Sequence, residues 1–342
     1  MNYILKDENA VYYECGFSCD NEIFLKLEDA AYFLTDARYI TEAKEYIKNA
    51  EVVEMDRRDP MKVARTLLRK SKIATLIYNP YEWSVGEFER LSSKLNINFS
   101  QKVNFSQQKR IIKSDHELDI LRVAARKGAD AFDAFAAFVR ERGIGLNEKR
   151  LFNEAENIFK NYGELELSFS PIVALGANAA KPHALPSDDV LRESELLLLD
   201  AGVKYQRYCS DRTRTAEVSH NMVFEKNMKF KDALRQKVYD TVLKAHDASI
   251  KKAKAGVRAS EIDRAGREVI EKAGFGQYFI HSTGHGVGLD IHELPVIGAR
   301  SQDIIEENMV FTIEPGIYLP GEFGVRIEDT VIARETDVEI IS

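Results

Sequence analysis

The sequence has few of the features that mark secreted or membrane-bound proteins. Its 342 residues include only three cysteines, Cys15, Cys19 and Cys209, and no Cys-x-x-Cys pair. An odd and sparse set of cysteines is not typical of a disulfide framework. The first residues, MNYILKDENAVYYECG, lack the basic start and apolar core of a secretion signal, and no apolar run approaches the ~18 residues of a membrane span. We therefore expect a cytoplasmic protein without a membrane partner.

Positive charge is also scarce. The chain has 48 lysines and arginines against 55 aspartates and glutamates, a formal net charge of -7. A protein that binds nucleic acid mainly through charge normally has a basic surface, so no nucleic-acid partner is expected. The remaining composition, 44% hydrophobic and 30% charged, is typical of a soluble globular protein. The length favours two domains.

The first hundred residues alternate short β-like runs with helical patterns. The segments AYFLTD, EVVEMD and KIATLIYNP read as strands, and RYITEAKEYIKNA, PMKVARTLLRKS and SVGEFERLSSKL read as helices. Such alternation predicts βαβ units in an α/β domain. Pro60 stands where a proline in the first turn of a helix belongs. No glycine-rich phosphate motif follows these strands, so we do not expect dinucleotide binding.

A connector, VNFSQQKRIIKSDHELD, separates this part from the rest of the chain. Ser114 and Glu117 have the spacing of a capping box and open a long helical pattern. We place a domain boundary here, with domains at 1–109 and 110–342. In the second domain, helical patterns at 115–142 and 147–161 precede a β-rich stretch at 168–218, and helical patterns at 228–254 and 260–273 precede another at 279–341. Two α-α-β halves predict a pseudo-symmetric α+β domain with a site between its halves.

Five candidate ligands stand in the two β-rich stretches. The segment LLLLDAGVKYQRYCSDRTRT contains Asp200 and Asp211, and a hairpin could bring both carboxylates to one face. STGHGVGLDIHELP contains His285. VFTIEPGIYLPGEFGVRIEDTVI contains Glu314 and Glu328, which flank a proline- and glycine-rich segment that reads as strand–turn–strand. Taken singly, each residue could equally belong to an ordinary turn or loop.

Together, these residues point to a metal centre. Four converging carboxylates repel one another unless cations neutralise them. Four acids and one imidazole suit two divalent ions, with at least one carboxylate bridging them. Oxygen-rich sites favour Mn, and the imidazole also admits Co, Fe or Zn. A pair of ions about 4 Å apart lowers the pKa of a shared water and polarises a carbonyl group, which is hydrolytic chemistry.

Five motifs in a fixed order make the sequence recognisable: KPHALPSD, DAGVKYQRYCSDRTRT, HSTGHGVGLDIHELP, TIEPGIYLP and GVRIEDT. The chain resembles the M24 metallopeptidases of the pita-bread fold, the Xaa-Pro dipeptidases (prolidases) and Xaa-Pro aminopeptidases. Its beginning, with GFS and FLTDARYITEA, resembles their smaller domain. The resemblance covers nearly the whole chain. It implies a small N-terminal creatinase-like α/β domain followed by a pseudo-symmetric pita-bread catalytic domain. No ligand position of the family's pattern is missing, which argues against a metal-free member.

The resemblance implies a role for each candidate residue. Two metal ions would be held by Asp200, Asp211, His285, Glu314 and Glu328. A metal-bridging hydroxide would attack the carbonyl group before proline, and Glu314 would shuttle a proton to the leaving nitrogen. Catalytic and substrate-binding contacts would come from His183, His281, His292 and Arg326.

Further expectations concern those four substrate-side residues and the partners of the protein. His292 or His183 could donate hydrogen bonds to the oxyanion. Arg326 lies two residues before Glu328, so a strand would place both on one face, where Arg326 could stabilise the acids or bind substrate. The implied substrates are proline-containing di- or oligopeptides, and the implied assembly is a homodimer.

Several alternatives stay open. A methionine aminopeptidase-like enzyme or a non-catalytic pita-bread binding module would share the fold, although HALPSD, GVRIED and the intact ligand set disfavour them. A phosphate loop at GHGVG would need a following helix, whereas LDIHELPVIG predicts strand and loop. A dipeptidase needs a cation for the free carboxylate of proline. Arg300 and Arg326 are candidates, while Val296 stands where prolidases have a loop arginine. His281 could instead be a packed strand histidine.

Other polar residues match no motif. The remaining histidines, His116, His220 and His246, are expected at the surface. Glu293 and Asp329 are expected to point away from the site, and Asp329 to be structural. Cys209 has no histidine base nearby in the sequence, so a thiol nucleophile is not expected.

Overall fold

A mixed six-stranded sheet with helices packed against it forms the first part of the chain. The computed structural model describes every residue, Met1–Ser342, and divides into two compact units, Met1–Arg110 and Ile111–Ser342. The elements of the first unit are β1 (Tyr3–Leu5), α1 (Glu8–Cys15), β2 (Glu22–Leu27), β3 (Ala30–Thr35), α2 (Ile40–Tyr46), β4 (Glu51–Glu54), α3 (Pro60–Ser71), β5 (Thr75–Tyr78), α4 (Val85–Ser92), β6 (Asn98–Gln101) and α5 (Phe105–Arg110). The order of the strands in its sheet is β4-β3-β2-β1-β5-β6.

The three predicted helices correspond to α2, α3 and α4, the three predicted strands correspond to β3, β4 and β5, and Pro60 is the first residue of α3. Its beginning differs from a series of βαβ units. β1, β2 and β3 are antiparallel neighbours, whereas β3–β4, β1–β5 and β5–β6 are parallel pairs. The elements β1, α1, β2, β6 and α5 were not predicted. β1 has only three residues, which are too few to show a period of two.

The second unit repeats a helix–helix–sheet arrangement, as the duplicated pattern predicts. Its first half contains α6 (Asp115–Phe138), α7 (Glu148–Phe159), β7 (Glu166–Leu167), β8 (Ile172–Leu175), β9 (Leu196–Ala201), β10 (Val203–Tyr205), β11 (Tyr208–Cys209) and β12 (Arg212–Glu217). Its second half contains α8 (Ala233–Lys252), α9 (Ala259–Lys272), β13 (Gly284–Gly286), β14 (Glu293–Ile297), β15 (Val310–Ile313), β16 (Gly316–Leu319), β17 (Phe323–Arg326), β18 (Asp329–Ala333) and β19 (Val338–Ile340).

Short helical turns join some of these elements, and the predicted cap is present. A π-helical turn at Val139–Gly143 extends α6, and single 3₁₀ turns lie at Pro80–Glu82, Asn161–Gly163, Gly176–Ala180 and Gly276–Tyr278. The capping box that opens α6 is confirmed, because the hydroxyl of Ser114 accepts from the amide of Glu117 and the Glu117 carboxylate accepts from the amide of Ser114. None of the helices is long and apolar enough to cross a membrane.

Two interrupted strand pairs organise the second unit. In the three-stranded sheet β8-β9-β12, the hairpin β10–β11 separates the antiparallel partners β9 and β12 along the chain. In the five-stranded sheet β14-β13-β15-β18-β19, the hairpin β16–β17 separates β15 and β18 in the same way. Each hairpin leaves the ladder where its partner strands end. The residues at those two points are therefore held side by side by backbone hydrogen bonds.

Apolar side chains fix the helices against these sheets. Phe132 and Phe135 of α6 pack in one buried cluster with Leu197 and Leu199 of β9. Tyr239 of α8 belongs to a second cluster that includes the hairpin β16–β17. Burial of large apolar side chains contributes about 1.5–3 kcal/mol each, so the sheets are held firmly from their helical side.

A buried ionic network lies behind the second strand pair and corrects one expectation. His246 of α8 is completely buried, so its predicted surface position is wrong. It lies among buried residues of the inner face of α8, with its Nε2 3.4 Å from Oδ2 of Asp329. Nη2 of Arg214 donates to Oδ1 of Asp329 at 2.6 Å, and Lys226 pairs with Oδ2. Burial lowers the pKa of His246, and the cations lower the pKa of Asp329 to about 2 although burial opposes this.

Candidate metal centre and substrate cavity

One cavity of about 640 Å³ in the second unit brings together all nine candidate residues. Its polar lining contains His183, Asp200, Asp211, His281, His285, His292, Glu314, Arg326 and Glu328. Much of the remaining wall is apolar and includes Phe152, Phe169, Pro171, Ile172, Leu185 and Ile291. A concave, largely apolar pocket with a few convergent polar groups is the usual form of a small-ligand site. The roles of the nine residues stay predictions.

Asp200 and Asp211 are brought together by the strand pair β9–β12. Asp200 pairs in register with Thr213, which lies two residues after Asp211. The hairpin β10–β11 takes up most of the residues between the two aspartates, so both carboxylates reach the same cavity. The predicted hairpin geometry is confirmed, with an additional short pair of strands inside it.

Glu314 and Glu328 are placed in the same way by β15 and β18. Glu314 follows β15 directly, Glu328 precedes β18, and Ile313 pairs with Asp329 across the ladder. The predicted strand–turn–strand is therefore confirmed. The expectation of one strand face for Arg326 and Glu328 is wrong, because β17 ends at Arg326 and the chain turns into β18 after Glu328. Both side chains nevertheless line the cavity.

His285 lies on the short strand β13 between two glycines that the packing requires. A Cβ atom at Gly284 would lie 1.9 Å from the carbonyl oxygen of Thr312, and one at Gly286 would lie 2.1 Å from that of Leu294. These glycines allow close approach of neighbouring strands, and no helix follows that could bind a phosphate. Nδ1 of His285 lies 3.1 Å from the carbonyl oxygen of Gly286, so a proton on Nδ1 leaves Nε2 as a free ligand atom.

Three of the candidates form a compact ligand group. One donor atom each of Asp211, His285 and Glu328 lies within 4.8 Å of the others. Oε1 of Glu314 lies 3.5 Å from Nε2 of His285. Oδ1 of Asp200, Oδ1 of Asp211 and Oε1 of Glu328 are buried and accept no hydrogen bond. Buried carboxylate oxygens are rarely left without a partner, so these oxygens and the imidazole fit a divalent cation.

The pKa values of the site residues also indicate that the site binds a cation. Burial raises the pKa of Glu314 to about 8. Burial, together with the charge of neighbouring carboxylates, raises the pKa of Asp211 and Glu328 well above the usual range. Burial lowers the pKa of His285 to about 4, so its imidazole is neutral and able to act as a ligand. Without a cation, Glu314 would hold a proton near neutral pH, and Asp211 and Glu328 would take up protons more readily than ordinary carboxylates.

Arg326 is fully engaged in holding the site together. Its Nη2 donates to Oδ2 of Asp200 at 2.6 Å, and its Nε donates to the hydroxyl of Thr213 at 3.1 Å. Its Nη1 donates to the hydroxyl of Tyr318 at 2.8 Å and to the carbonyl oxygen of Pro182 at 3.3 Å. Of the two roles considered for Arg326, this geometry favours stabilisation of the acidic cluster, because all three nitrogens already have acceptors.

Two residues with a clear place in the site were missed in the sequence. Tyr318 joins His281, whose Nε2 lies 2.9 Å from its hydroxyl, to Arg326. Thr213 donates to Oε2 of Glu328 at 2.6 Å and accepts from Arg326. Both lie inside recognised motifs, but a tyrosine or threonine on a strand is usually packing. Only the cross-strand distances identify them.

The substrate-side histidines differ in exposure. His183 and His292 are exposed, whereas His281 is half-buried in the loop before β13 and is not a strand residue. Burial lowers the pKa of His281 to about 4, and burial also lowers the pKa of His292. Both are therefore neutral near pH 7 and can donate or accept one hydrogen bond at each ring nitrogen. Glu293, next to His292, turns away into a buried ion pair with Lys113, as expected.

The loop that carries His183 is held by a buried carboxylate. Glu148, the first residue of α7, is completely buried. It accepts from the amide of Leu175 at 2.6 Å, from the side chain of Asn178 at 2.7 Å and from the amide of Ser187 at 2.6 Å. These three donors lie on either side of His183 in the chain. Glu148 is thus a positioning residue for the loop.

We expect Glu148→Gln to loosen this loop. An amide in place of the carboxylate turns one acceptor into a donor that faces another donor, which costs about 1–3 kcal/mol of folding free energy. Denaturant unfolding measures that loss. Glu156→Gln on the same helix, in a partly exposed pair with Lys160, is the matched control and should cost about 0.5 kcal/mol or less. Equal losses for both variants would contradict the role of Glu148.

Comparisons with known sequences agree on one family. The model of metallopeptidase family M24 matches residues 119–335. An uncharacterised peptidase of Staphylococcus epidermidis is 40% identical over 253 residues, which are 74% of this chain and 68% of the relative. An uncharacterised peptidase of Bacillus subtilis is 34% identical over 333 residues, 97% of this chain and 90% of the relative.

Solved structures match nearly the whole chain. An Xaa-Pro dipeptidase from Bacillus anthracis has a TM-score of 0.90 at 32% identity, and the match covers 99% of this chain and 92% of the dipeptidase chain. An X-Pro aminopeptidase from Thermotoga maritima has a TM-score of 0.87 at 32% identity, and the match covers 99% of this chain and 94% of the aminopeptidase chain. A prolidase from Pyrococcus furiosus has a TM-score of 0.86 at 32% identity, and the match covers 99% of this chain and 95% of the prolidase chain. The expected pita-bread architecture is therefore confirmed.

Proposed function

The chain belongs to metallopeptidase family M24, and from this premise we propose that it is an exopeptidase that hydrolyses the bond between an N-terminal residue and proline. The observation that carries the proposal is the cavity that holds four carboxylates, one metal-accessible imidazole and three further histidines. The names of the similar structures, dipeptidases and aminopeptidases for Xaa-Pro bonds, support the substrate class.

We propose that Asp200, Asp211, His285, Glu314 and Glu328 hold two divalent cations. Such ions, when bound, lower the pKa of a water molecule and polarise the carbonyl group of the substrate. The carboxylate oxygens that accept no hydrogen bond and the Nε2 atom of His285 support this ligand set. Manganese as the resident ion, a homodimer and a cytoplasmic location remain predictions of the sequence.

The remaining residues supply binding and proton transfer. Glu314 accepts the proton of the attacking water and delivers it to the proline nitrogen, which must be protonated to leave as an amine. The exposed imidazoles of His183 and His292 donate hydrogen bonds to the developing oxyanion. Arg326 holds Asp200 in place through its 2.6 Å hydrogen bond, and Tyr318 orients His281. The apolar wall of the cavity accommodates the proline ring and the first side chain.

Metal removal tests the proposed reaction. We expect chelation to abolish hydrolysis of Ala-Pro peptides, and added Mn or Co to restore it, because the carbonyl group and the water would lose their activating charge. Release of free alanine from Ala-Pro-Ala and from Ala-Ala-Ala measures rate and specificity together. Full activity of protein that elemental analysis shows to be free of metal would refute the mechanism. Equal rates on both peptides would refute the proline specificity.

A further inference from the structure

We infer that an ion pair on α9, formed by Asp263 and Arg267, positions two residues that the proposed reaction uses. These two residues are His281 and Glu314. The inference rests on the proposed function, since it concerns how residues of that reaction are held in place. Neither Asp263 nor Arg267 lines the cavity that contains the candidate ligands, so the pair acts through other residues.

The segment 279–283, which carries His281, has no regular secondary structure of its own. It joins the 3₁₀ turn at Gly276–Tyr278 to the first residue of β13. Backbone carbonyl groups that are not paired in a helix or a sheet need donors from elsewhere in the fold. The position of this segment is therefore set by the side chains that reach it.

Arg267 supplies donors to this segment. Its Nη1 donates to the carbonyl oxygen of Phe279 at 3.0 Å, and its Nη2 donates to that of His281 at 2.9 Å. The guanidinium carbon also lies 4.1 Å from the ring centroid of Phe279, where a cation is attracted to the aromatic face. The same ring meets the imidazole of His281 edge-on, with 5.1 Å between centroids. Arg267 thus holds both the backbone and the ring that border His281.

Asp263 fixes the other end of the segment. Its side chain is 1% exposed and accepts from Nε and Nη2 of Arg267, at 2.9 Å each. Its Oδ1 also accepts from the hydroxyl of Thr283 at 2.9 Å and from the Thr283 amide at 3.3 Å. A bidentate pair of arginine and carboxylate fixes geometry as well as charge. The pair and the segment therefore form one connected set of hydrogen bonds.

The backbone of Thr283 extends this set to Glu314. The carbonyl oxygen of Thr283, a completely buried residue, accepts from the amide of Glu314 at 2.7 Å, where β15 ends. The backbone of the proposed proton shuttle is thus bonded to a residue that Asp263 holds through its hydroxyl and its amide. One ion pair on α9 reaches both residues of the reaction.

The helix that carries the pair is itself fixed. A Cβ atom at Gly266 would lie 2.5 Å from the hydroxyl of Ser249, so α9 and α8 approach closely there. This hydroxyl donates to the carbonyl oxygen of Ile262 at 3.0 Å, and Ile262 and Ile270 are completely buried. A displacement of reacting groups by about 1 Å can cost about 100-fold in rate. A fixed helix that holds the segment by charged contacts prevents such displacement.

Arg267→Gln tests the inference in the metal-loaded protein, with Ala-Pro or Ala-Pro-Ala, whichever the wild type hydrolyses faster. We expect kcat to fall about 10- to 100-fold, because His281 and Glu314 lose their exact placement. KM should change by less than about threefold, since ground-state binding is not the function of the pair. Arg267→Lys keeps a cation beside Asp263 and should recover part of kcat.

Glu268→Gln is the matched control for this variant. Glu268 pairs with Lys272 at 3.1 Å on the same helix and with the same spacing, but the two side chains are 49% and 76% exposed. Both kinetic constants should stay at the wild-type values. If Arg267→Gln raises KM at unchanged kcat, the residue binds substrate. If it lowers only the unfolding temperature, its role is structural. Either result overturns the inference.

Thr283→Val is a milder second variant that keeps the shape of the side chain and removes only its hydroxyl. We expect it to lower kcat about tenfold, whereas Thr283→Ser, which keeps the hydroxyl, should stay within about threefold of the wild type. Steady-state kinetics under the same conditions measure both values. Equal kcat values for the two variants would contradict the role of Asp263.

Hydrogen exchange separates this inference from the proposed function. At saturating Mn, the amides of residues 279–285 and of Glu314 should exchange at least about tenfold faster in Arg267→Gln than in the wild type, because local opening becomes easier. Amides of α6 should keep their rates. If the wild type hydrolyses neither peptide, the proposed function fails and exchange alone decides the inference. Unchanged exchange at these amides overturns it.

Discussion

Glu328→Gln is expected to lower metal affinity and peptidase activity together, each by more than ~100-fold. Removal of a residue that only hydrogen-bonds to a metal ligand already costs up to about 100-fold, so the loss of a ligand should cost more. Oε2 of Glu328 accepts from Thr213 at 2.6 Å, while Oε1 is buried without a donor and is available to a cation. Glutamine keeps the shape of the side chain but removes one negative charge from the ligand group. Metal content by elemental analysis and hydrolysis of Ala-Pro peptides measure the two losses.

The thermal stability of the same variant shows whether Glu328 is a metal ligand or a residue needed for folding. Burial and nearby carboxylates raise the pKa of Glu328, so its charge does not stabilise the metal-free fold. Metal-free Glu328→Gln should therefore unfold at the same temperature as the metal-free wild type, or above it, and should gain no stability from added Mn. Glu322→Gln, in the exposed turn between β16 and β17, is the control and should keep full metal content and rate. Two metal ions retained in Glu328→Gln would contradict the proposed ligand set.

Asp329→Asn is expected to lower the free energy of unfolding by about 3–5 kcal/mol, since removal of one partner from a buried ion pair leaves the other charge uncompensated. Asp329 is completely buried, Arg214 pairs with it at 2.6 Å, and Lys226 pairs with its other oxygen. Asparagine has nearly the same size but no charge to balance these two cations. Urea unfolding at neutral pH measures the loss.

Asp188→Asn provides the matched control for this prediction. Asp188 pairs with Lys149 at 2.8 Å, but the two side chains are 77% and 57% exposed. Water screens such a pair, so its loss should cost about 1 kcal/mol or less. If both substitutions cost the same, the buried network does not stabilise the fold as we predict.

The strand pairs show what local sequence can predict and where it stops. The apolar run before Asp200 and the proline- and glycine-rich segment between Glu314 and Glu328 predicted strands and turns that the structure contains. The inner hairpin β10–β11 and the break between Arg326 and Glu328 were not predicted. Strands of two or three residues and a change of direction within a strand leave no periodic signal, because both depend on contacts with distant strands.

Individual residues also show where prediction from local sequence fails. His246 and its neighbours in the sequence are typical of an exposed helix face, yet packing against β18 buries it beside Asp329. The ion pair of Lys113 with Glu293 joins residues 180 positions apart, and the hydrogen bonds of Glu148 reach 27 to 39 positions along the chain. No spacing rule connects such residues, since only the folded chain sets their distances.

Sequence patterns predict much of the alternation of helices and strands, the duplicated second unit and the nine polar residues that meet in one cavity. These follow from hydrophobic periodicity, caps and the order of motifs, which are local properties of the chain. The orientation of the acids and the engagement of each cation depend on the folded chain. Every nitrogen of Arg326 is engaged within the site, whereas Arg300 is exposed. Hydrogen bonding and desolvation depend on distance and burial, which arise only when remote strands pair.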